Sequence, residues 1–218
     1  MTAAFDAALR GAPARMVRND GGEVGLAVRR WHADAAGDDR WLLDRCTGPV
    51  VDLGCGPGRL VVALTRRGIP ALGVDVSAAA VARCRARGAA VLHQDLFSTL
   101  PGRWDHVLLA DGNIGIGGDP LRLLRRAVAL LGPGGTVLVE TDPDPAACWA
   151  GTARVHTQVG VGPPVPWAVV GADVLREIAA AAGLEVTATH AGPRCFSELG
   201  LRDAPRVGRH LASLPVVE

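Results

Sequence analysis

The chain has 218 residues, 49% of them hydrophobic, which is ample material for one sizeable core and argues against intrinsic disorder. A formal charge of +1 and a pI near 7.7 leave no global field to draw in nucleic acid or an anionic membrane. No window approaches the run of about 18 or more apolar residues that a membrane span needs, and MTAAFDAALRGAPARMV lacks the apolar stretch of a secretion signal, so a soluble cytoplasmic protein is expected.

Every basic residue is arginine and none is lysine, which, beside the excess of alanine and glycine, reads as the codon bias of a GC-rich bacterial genome. Cys46, Cys55, Cys84, Cys148 and Cys195 are widely spaced, so reduced thiols are expected and no zinc or redox pair. The six histidines form no ligand cluster, and the acids Asp142 and Asp144 have no visible third partner for a cation, so no metal is expected.

Residues 1–48 stand outside the regular alternation that follows. Asp38 to Cys46 has the look of a capped amphipathic helix, and the segment reads as a helical cap over a larger unit, residues 49–218. From Pro49 onward short apolar runs alternate with amphipathic stretches, the signature of βαβ units. Strands are predicted at Pro49 to Leu53, Ala71 to Asp75, Ala89 to Leu92, Trp104 to Ala110 and Thr136 to Glu140. A helix over Arg59 to Arg67 buries Leu60, Val61 and Leu64, and Ser77 caps a second that turns Val81 and Cys84 inward. Asp119 and Pro120 open a third, with Leu121, Leu124, Val128 and Leu131 on its inner face. The Pro- and Gly-rich stretch 142–171 contains an alternating segment, Thr152 to Val159, that suits an extra hairpin arm. A helix over Ala172 to Ala182, a strand at Leu184 to His190 and an antiparallel strand near Arg194 to Leu199 complete a doubly wound, mostly parallel, seven-stranded α/β sheet.

The informative stretch is VVDLGCGPG at 50–58, an apolar strand that ends in an acid and a G-x-G-x-G loop opening a helix. Glycines there let the backbone approach a ligand closely and take positive φ. Asp75, at the tip of the second strand, offers a carboxylate able to accept two hydrogen bonds from a ribose diol.

Together with GVDVS at 73–77, QDLF at 94–97 and LGPGGTVLVE at 131–140, this run resembles the class I S-adenosylmethionine (SAM)-dependent methyltransferases, in the family's order, well over 49–141 and loosely over 165–199. The resemblance implies a Rossmann-like fold with its last strand antiparallel and SAM as the cofactor. It places Gly54, Cys55, Gly56 and Gly58 against the methionine part, Asp75 on the ribose and Asp95 on the adenine amino group, with Val76, Leu96 and Phe97 about the ring. Asp52 would order the loop or meet the cofactor's amino group through water. Arg194-Cys195-Phe196 departs from the aromatic pair expected at the last strand.

Transfer from a sulfonium needs alignment above all, so a general base is optional. Asp111 and Asn113, after the fourth strand, are candidates for contact with the methionine end or the acceptor, and His32 and His156 are candidate bases. The missing N/D-P-P-F/Y sequence after that strand disfavours nucleic acid, leaving a small-molecule acceptor. Two other readings remain. One is a nicotinamide oxidoreductase, whose usual G-x-G-x-x-G spacing is absent; the other is a SAM-binding regulator or partner without transferase activity. Oligomeric state has no signature here.

Overall fold

A computed structural model describes residues 4–202. In chain order the elements are α1 (Asp6–Leu9), β1 (Ala14–Arg18), β2 (Glu23–Val24), α2 (Val28–His32), α3 (Asp39–Leu43), β3 (Val50–Leu53), α4 (Arg59–Arg66), β4 (Ala71–Asp75), α5 (Ala78–Ala86), β5 (Val91–His93) and β6 (Trp104–Leu109). A 3₁₀ segment (Asn113–Gly118) leads into α6 (Pro120–Leu130), followed by β7 (Leu131–Thr141), β8 (Cys148–Thr157), β9 (Gly160–Val161), β10 (Val165–Val170), α7 (Ala172–Ala181), β11 (Leu184–His190) and β12 (Cys195–Leu201).

The larger sheet has seven strands in the order β11-β12-β7-β6-β3-β4-β5. β12 pairs antiparallel with both neighbours, and every other pairing is parallel, so it alone runs against the rest. β3 is buried along its whole length, as a central strand covered on both faces must be. Leu42, Leu60 and Leu64 from α3 and α4 pack with Leu108 and Leu138 in one core, while Leu123, Leu124 and Leu175 from α6 and α7 pack with Val51, Val107 and Val139 in another. Ser77 accepts from the Ala80 amide and Asp119 from the Arg122 amide at 2.9 Å, so both predicted caps form.

The buried face of α6 differs from the expected one: Leu123, Leu124, Ala127 and Leu130 point inward, and Leu121 and Val128 are only half-buried. Apolar residues lie on two adjoining ladders of this helix, so spacing did not choose between them. Leu131 leaves the helix altogether, taking an extended backbone as the first residue of β7.

A second, antiparallel sheet, β10-β8-β1-β2 with β9 on β8, was not read from the sequence beyond one hairpin arm. β1 supplies its third strand, with Ala14 to Arg18 facing Thr157 to Ala153 of β8. The N-terminal segment, expected as a purely helical cap, therefore contributes a hairpin as well as three short helices. Met16, Ala153, Val155 and Trp167 form the buried face of this sheet. The sheet lies against the 3₁₀ segment, where a Cβ on Gly115 would run into the Ala168 carbonyl.

Candidate functional site

The carboxyl ends of β3, β4, β5 and β6 open onto a cleft with about 1150 Å³ of empty space, in the crevice where open α/β sheets hold their ligands. Its floor is the glycine loop. Gly54 and Gly58 have φ of +79° and +81°, and added Cβ atoms would lie 2.8 Å from Asn113 Nδ2 and 2.5 Å from Cys84 Sγ, so only glycine fits this course. The loop is held from both sides. Asn113 Nδ2 donates to the carbonyls of Leu53 and Gly54, and the Gly56 amide donates to Asp75 at 2.9 Å.

The second carboxylate oxygen of Asp75 accepts from the Ser77 amide at 2.8 Å. A carboxylate offers about four acceptor positions, so two remain toward the cleft that Asp75 lines. Burial pushes its carboxyl above the usual range against those two amide bonds. Asp52, 3% exposed at the end of β3, also borders the cleft, and burial, reinforced by the charge of Asp111, pushes it up to about 7. Val76, Asp95 and Leu96 line the far side, with Asp95 accepting from the Phe97 amide at 2.9 Å. A pinched glycine cradle, a strand-tip carboxylate with spare lone pairs and an apolar slot ending in an acid fit a cofactor of amino-acid, ribose and adenine parts in that order.

Phe5, Leu9, Leu26 and Trp31 from the N-terminal segment and Trp167 from β10 wall the cleft from outside the main sheet. Of the two candidate bases, neither borders it. His32 Nε2 lies 3.1 Å from the Ala8 carbonyl and ties α2 to α1, while His156 sits on β8 opposite Arg15, beside the β9 turn. Cys55 is buried within the loop and does line the cleft.

Asp111 does border the cleft, but its carboxylate is claimed by arginines. Arg59 reaches it at 2.6 Å, Arg30 at 2.9 Å and Arg194 at 3.3 Å. Its backbone is left-handed, φ +54°, and its amide donates to Glu140 at 2.5 Å. Arg194 spans Glu140 in a fork, at 2.8 and 2.5 Å, and also pairs with Asp39, which Arg59 meets from the other side. Burial alone would raise the Asp39 carboxyl, but the two guanidiniums outweigh it and hold it low. The neighbouring acids outweigh burial for Arg59 and Arg194 as well, and keep both more strongly protonated than a free guanidinium. Glu140 was expected near the acceptor, as the acid ending the fifth strand, whereas Arg59, Arg194 and Asp39 were given no role in the site from the sequence. Arg194 stood where an aromatic pair was expected, and that departure was the one available signal.

Beyond this cluster lies a second cavity with about 1080 Å³ of empty space, whose wall shares Leu26, Asp111 and Trp167 with the first. Arg30, Thr141 and Asp142 line it, with Val24, Ile114 and Val170 among its apolar surfaces. Among the described residues no group of three or more His, Cys, Asp or Glu side chains is placed to hold a metal, and all five cysteines are free.

Among curated proteins, the chain is 37% identical over 124 residues to the ribosomal RNA small subunit methyltransferase C of Alcanivorax borkumensis; the match takes in 51% of this chain and 38% of that protein. The chain thus spans well under half the length of that relative. Among solved structures, a SAM-dependent methyltransferase from Bacteroides fragilis in complex with S-adenosylhomocysteine has a TM-score of 0.75 at 19% identity, covering 92% of this chain and 93% of its own. The sugar N-methyltransferase of a Streptoalloteichus species has a TM-score of 0.61 at 19% identity, covering 84% and 96%. At such identities these two speak for the fold. The methyltransferase-domain family matches residues 28–189, most of the chain, and takes in the glycine loop and the strand-tip acid. The chain belongs to that family, in its class I, SAM-dependent form.

Proposed function

We propose that the protein is a methyltransferase that uses SAM and acts on a small-molecule acceptor. The observation that carries this reading is the pair of adjoining cavities: one with the glycine cradle and Asp75, the other walled by both apolar and charged side chains, sharing Leu26, Asp111 and Trp167. In this reading Gly54, Cys55, Gly56 and Gly58 hold the amino-acid end through the backbone, Asp52 faces the amino group, Asp75 takes the ribose hydroxyls, and Val76, Asp95 and Leu96 take the adenine. When bound, SAM supplies a methyl group on a sulfonium, already activated for displacement.

The chain's own part is alignment and exclusion of water. Trp31 and Trp167 close the cleft from above. The acids of the ion cluster are held by arginines, so they shape the site rather than accept protons. Structural relatives support a small acceptor. They include the sugar N-methyltransferase and a 1,6-didemethyltoxoflavin N1-methyltransferase from Burkholderia thailandensis, which has a TM-score of 0.55 at 17% identity. No helix among the described residues is long and apolar enough to cross a membrane, and free thiols suit the cytoplasm, where we place the protein.

A second reading, an RNA acceptor, rests on the curated ribosomal RNA methyltransferase relative. Calorimetry with SAM, S-adenosylhomocysteine and NAD, followed by an assay for SAM turnover with a metabolite panel and with ribosomal RNA, separates the possibilities. SAM bound in preference to NAD and consumed with a metabolite is the expected result. NAD bound more tightly defeats the cofactor assignment; SAM bound but never consumed makes the protein a binding module; turnover with RNA alone moves the acceptor class.

A further inference from the structure

The second cavity has an uneven distribution of charge. Two guanidiniums, Arg30 and Arg194, and three carboxylates, Asp111, Glu140 and Asp142, line it, while Arg59 and Asp39 cancel one another behind its wall. Both arginines pair with acids. Arg194 forks onto Glu140, and Arg30 donates from Nε to Asp111 at 3.0 Å and pairs through Nη2 with Asp111 and Glu140. Asp111 and Glu140 are correspondingly saturated, Glu140 also accepting the Asp111 amide. Asp142 is the exception. Among the described residues no arginine or histidine pairs with it, and its only side-chain partner is the Asp144 amide on Oδ1, at 2.9 Å. Asp142 is half-buried, and its other oxygen and remaining lone pairs have no protein partner among the described residues, at the wall of a cavity whose lining sums to one negative charge.

Asp142 is also firmly placed. Its amide donates to the Val170 carbonyl at 2.9 Å, and it bridges to Gly171 in parallel, which pins the end of β7 to the end of β10. On the far side of the cavity is Trp167, whose aromatic ring suits the body of an organic molecule and tolerates a nearby cation.

We propose that the second cavity receives an acceptor amine and that Asp142 recognises it, accepting a hydrogen bond from the nitrogen that faces it. This rests on the methyltransferase reading above and names its acceptor class. An amine carries N–H donors in both protonation states, so it satisfies the unpaired carboxylate, and a charged one balances the cavity. An acidic acceptor would place a second anion beside Asp142 in a cavity whose lining is already net negative. A neutral alcohol would leave the carboxylate uncompensated by charge.

The test uses the full chain saturated with S-adenosylhomocysteine and three matched probe sets: 2-phenylethylamine and tryptamine; 2-phenylethanol and tryptophol; 3-phenylpropionate and indole-3-propionate. Binding is followed by calorimetry and methyl transfer from SAM by mass spectrometry. The amines are expected to bind at least tenfold more tightly than their alcohols and acids. Asp142→Asn is expected to lose that preference, with amine affinity falling tenfold or more while the dissociation constant for SAM stays unchanged. Asparagine keeps an Oδ1 acceptor for the Asp144 amide, so the turn is preserved, and thermal melting verifies it. Asp144→Asn, altering an acid outside the cavity lining, is expected to leave amine binding intact.

Equal amine binding by Asp142→Asn overturns the assignment to Asp142. Tighter binding of the alcohols or acids, or no amine bound by a protein that does bind SAM, overturns the amine class and leaves the methyltransferase reading standing. Failure to bind SAM at all brings down that reading and this inference with it.

Discussion

Asn113 donates through Nδ2 to the carbonyl of Gly54 at 2.8 Å, so the loop expected to cradle the cofactor is hung from the residues that follow β6. The same nitrogen serves the Leu53 carbonyl at 2.9 Å. Both of its protons are spent on backbone, which makes Asn113 a positioning residue and leaves nothing of its amide donor for a reacting group. Replacing it by alanine removes two hydrogen bonds worth about 1 kcal/mol each. Affinity for SAM in Asn113→Ala should fall by about five- to thirtyfold, with melting lowered by a few degrees. Wild-type affinity in a folded variant would show that the loop keeps its course unaided.

Asp75 combines two duties, since its carboxylate caps the amides of Gly56 and Ser77 as well as facing the cleft. Asp75→Ala should weaken SAM binding about 10- to 100-fold, the worth of charge-assisted bonds to the ribose. Asp75→Asn keeps one oxygen acceptor for the loop and should bind at an intermediate level. If the two variants melt like wild type and bind SAM as tightly, the ribose is held elsewhere.

Asp52 makes cofactor binding sensitive to pH. Burial raises its carboxyl to about 7, so folding favours the protonated form; its contribution to stability is full below the ordinary aspartate range and is lost as pH rises through about 7. A cofactor bearing an ammonium and a sulfonium favours the ionised form instead. Binding should therefore release up to one proton at pH near 6, and affinity should climb by up to about tenfold per pH unit until it levels above 7. Calorimetry in buffers of different ionisation enthalpy measures the release directly. Asp52→Asn should abolish it; an unchanged proton count in that variant would assign the effect to another acid, with Asp75 the next candidate because burial raises it too.

How much of this was legible beforehand follows the range of the interactions. β4 and β11 end where their apolar runs end, and the caps at Ser77 and Asp119 are local chemistry carried by residues three apart. The glycine loop and Asp75 were readable because each lies within a few residues of a strand tip. The ion cluster was not. Asp39, Arg59, Asp111, Glu140 and Arg194 come from five separate elements or their flanks, with Asp39 and Arg194 separated by 155 positions, and no periodicity marks such a set. The second sheet stayed hidden for the same reason, since β1 finds its partner β8 more than a hundred residues away. His32 and His156 looked chemical only because a histidine in sequence carries no sign of what it faces.

Arg194 is the keystone of that cluster, and its loss should be costly. Removing the guanidinium leaves Glu140 with only the Arg30 contact at 3.6 Å and Asp39 with Arg59 alone, and a broken buried pair costs about 3 to 5 kcal/mol. Arg194→Met, similar in volume, should therefore melt well below wild type despite its apolar side chain. Adding Glu140→Gln should recover a good part of the loss, because the one surplus negative charge goes with the arginine while Asp39 keeps Arg59. Chemical denaturation of the single and double variants gives the comparison, and a double variant no more stable than the single would show that Arg194 acts through packing against Phe196, whose ring its guanidinium overlies at 4.8 Å.

Removing residues 1–37 tests how the N-terminal segment serves the site. The seven-stranded sheet, both helix layers and the Asp39 pairs with Arg59 and Arg194 lie beyond that cut, so the truncated chain should still fold. It loses β1, however, and with it five paired positions along β8 and the buried Met16. It also loses Phe5, Leu9, Leu26 and Trp31 from the wall of the cofactor cleft, and Arg30 from the cavity beside it. SAM affinity should fall tenfold or more, through lost burial of the cofactor rather than lost polar contacts, since the glycine loop, Asp75 and Asp95 all remain. Hydrogen exchange should show β8 amides near Ala153 to Thr157 losing protection while those of β3 and β6 keep theirs. A truncated chain that binds SAM as tightly as the full one would show that these four apolar walls lie over open space, and that the cofactor is held by the sheet edge alone.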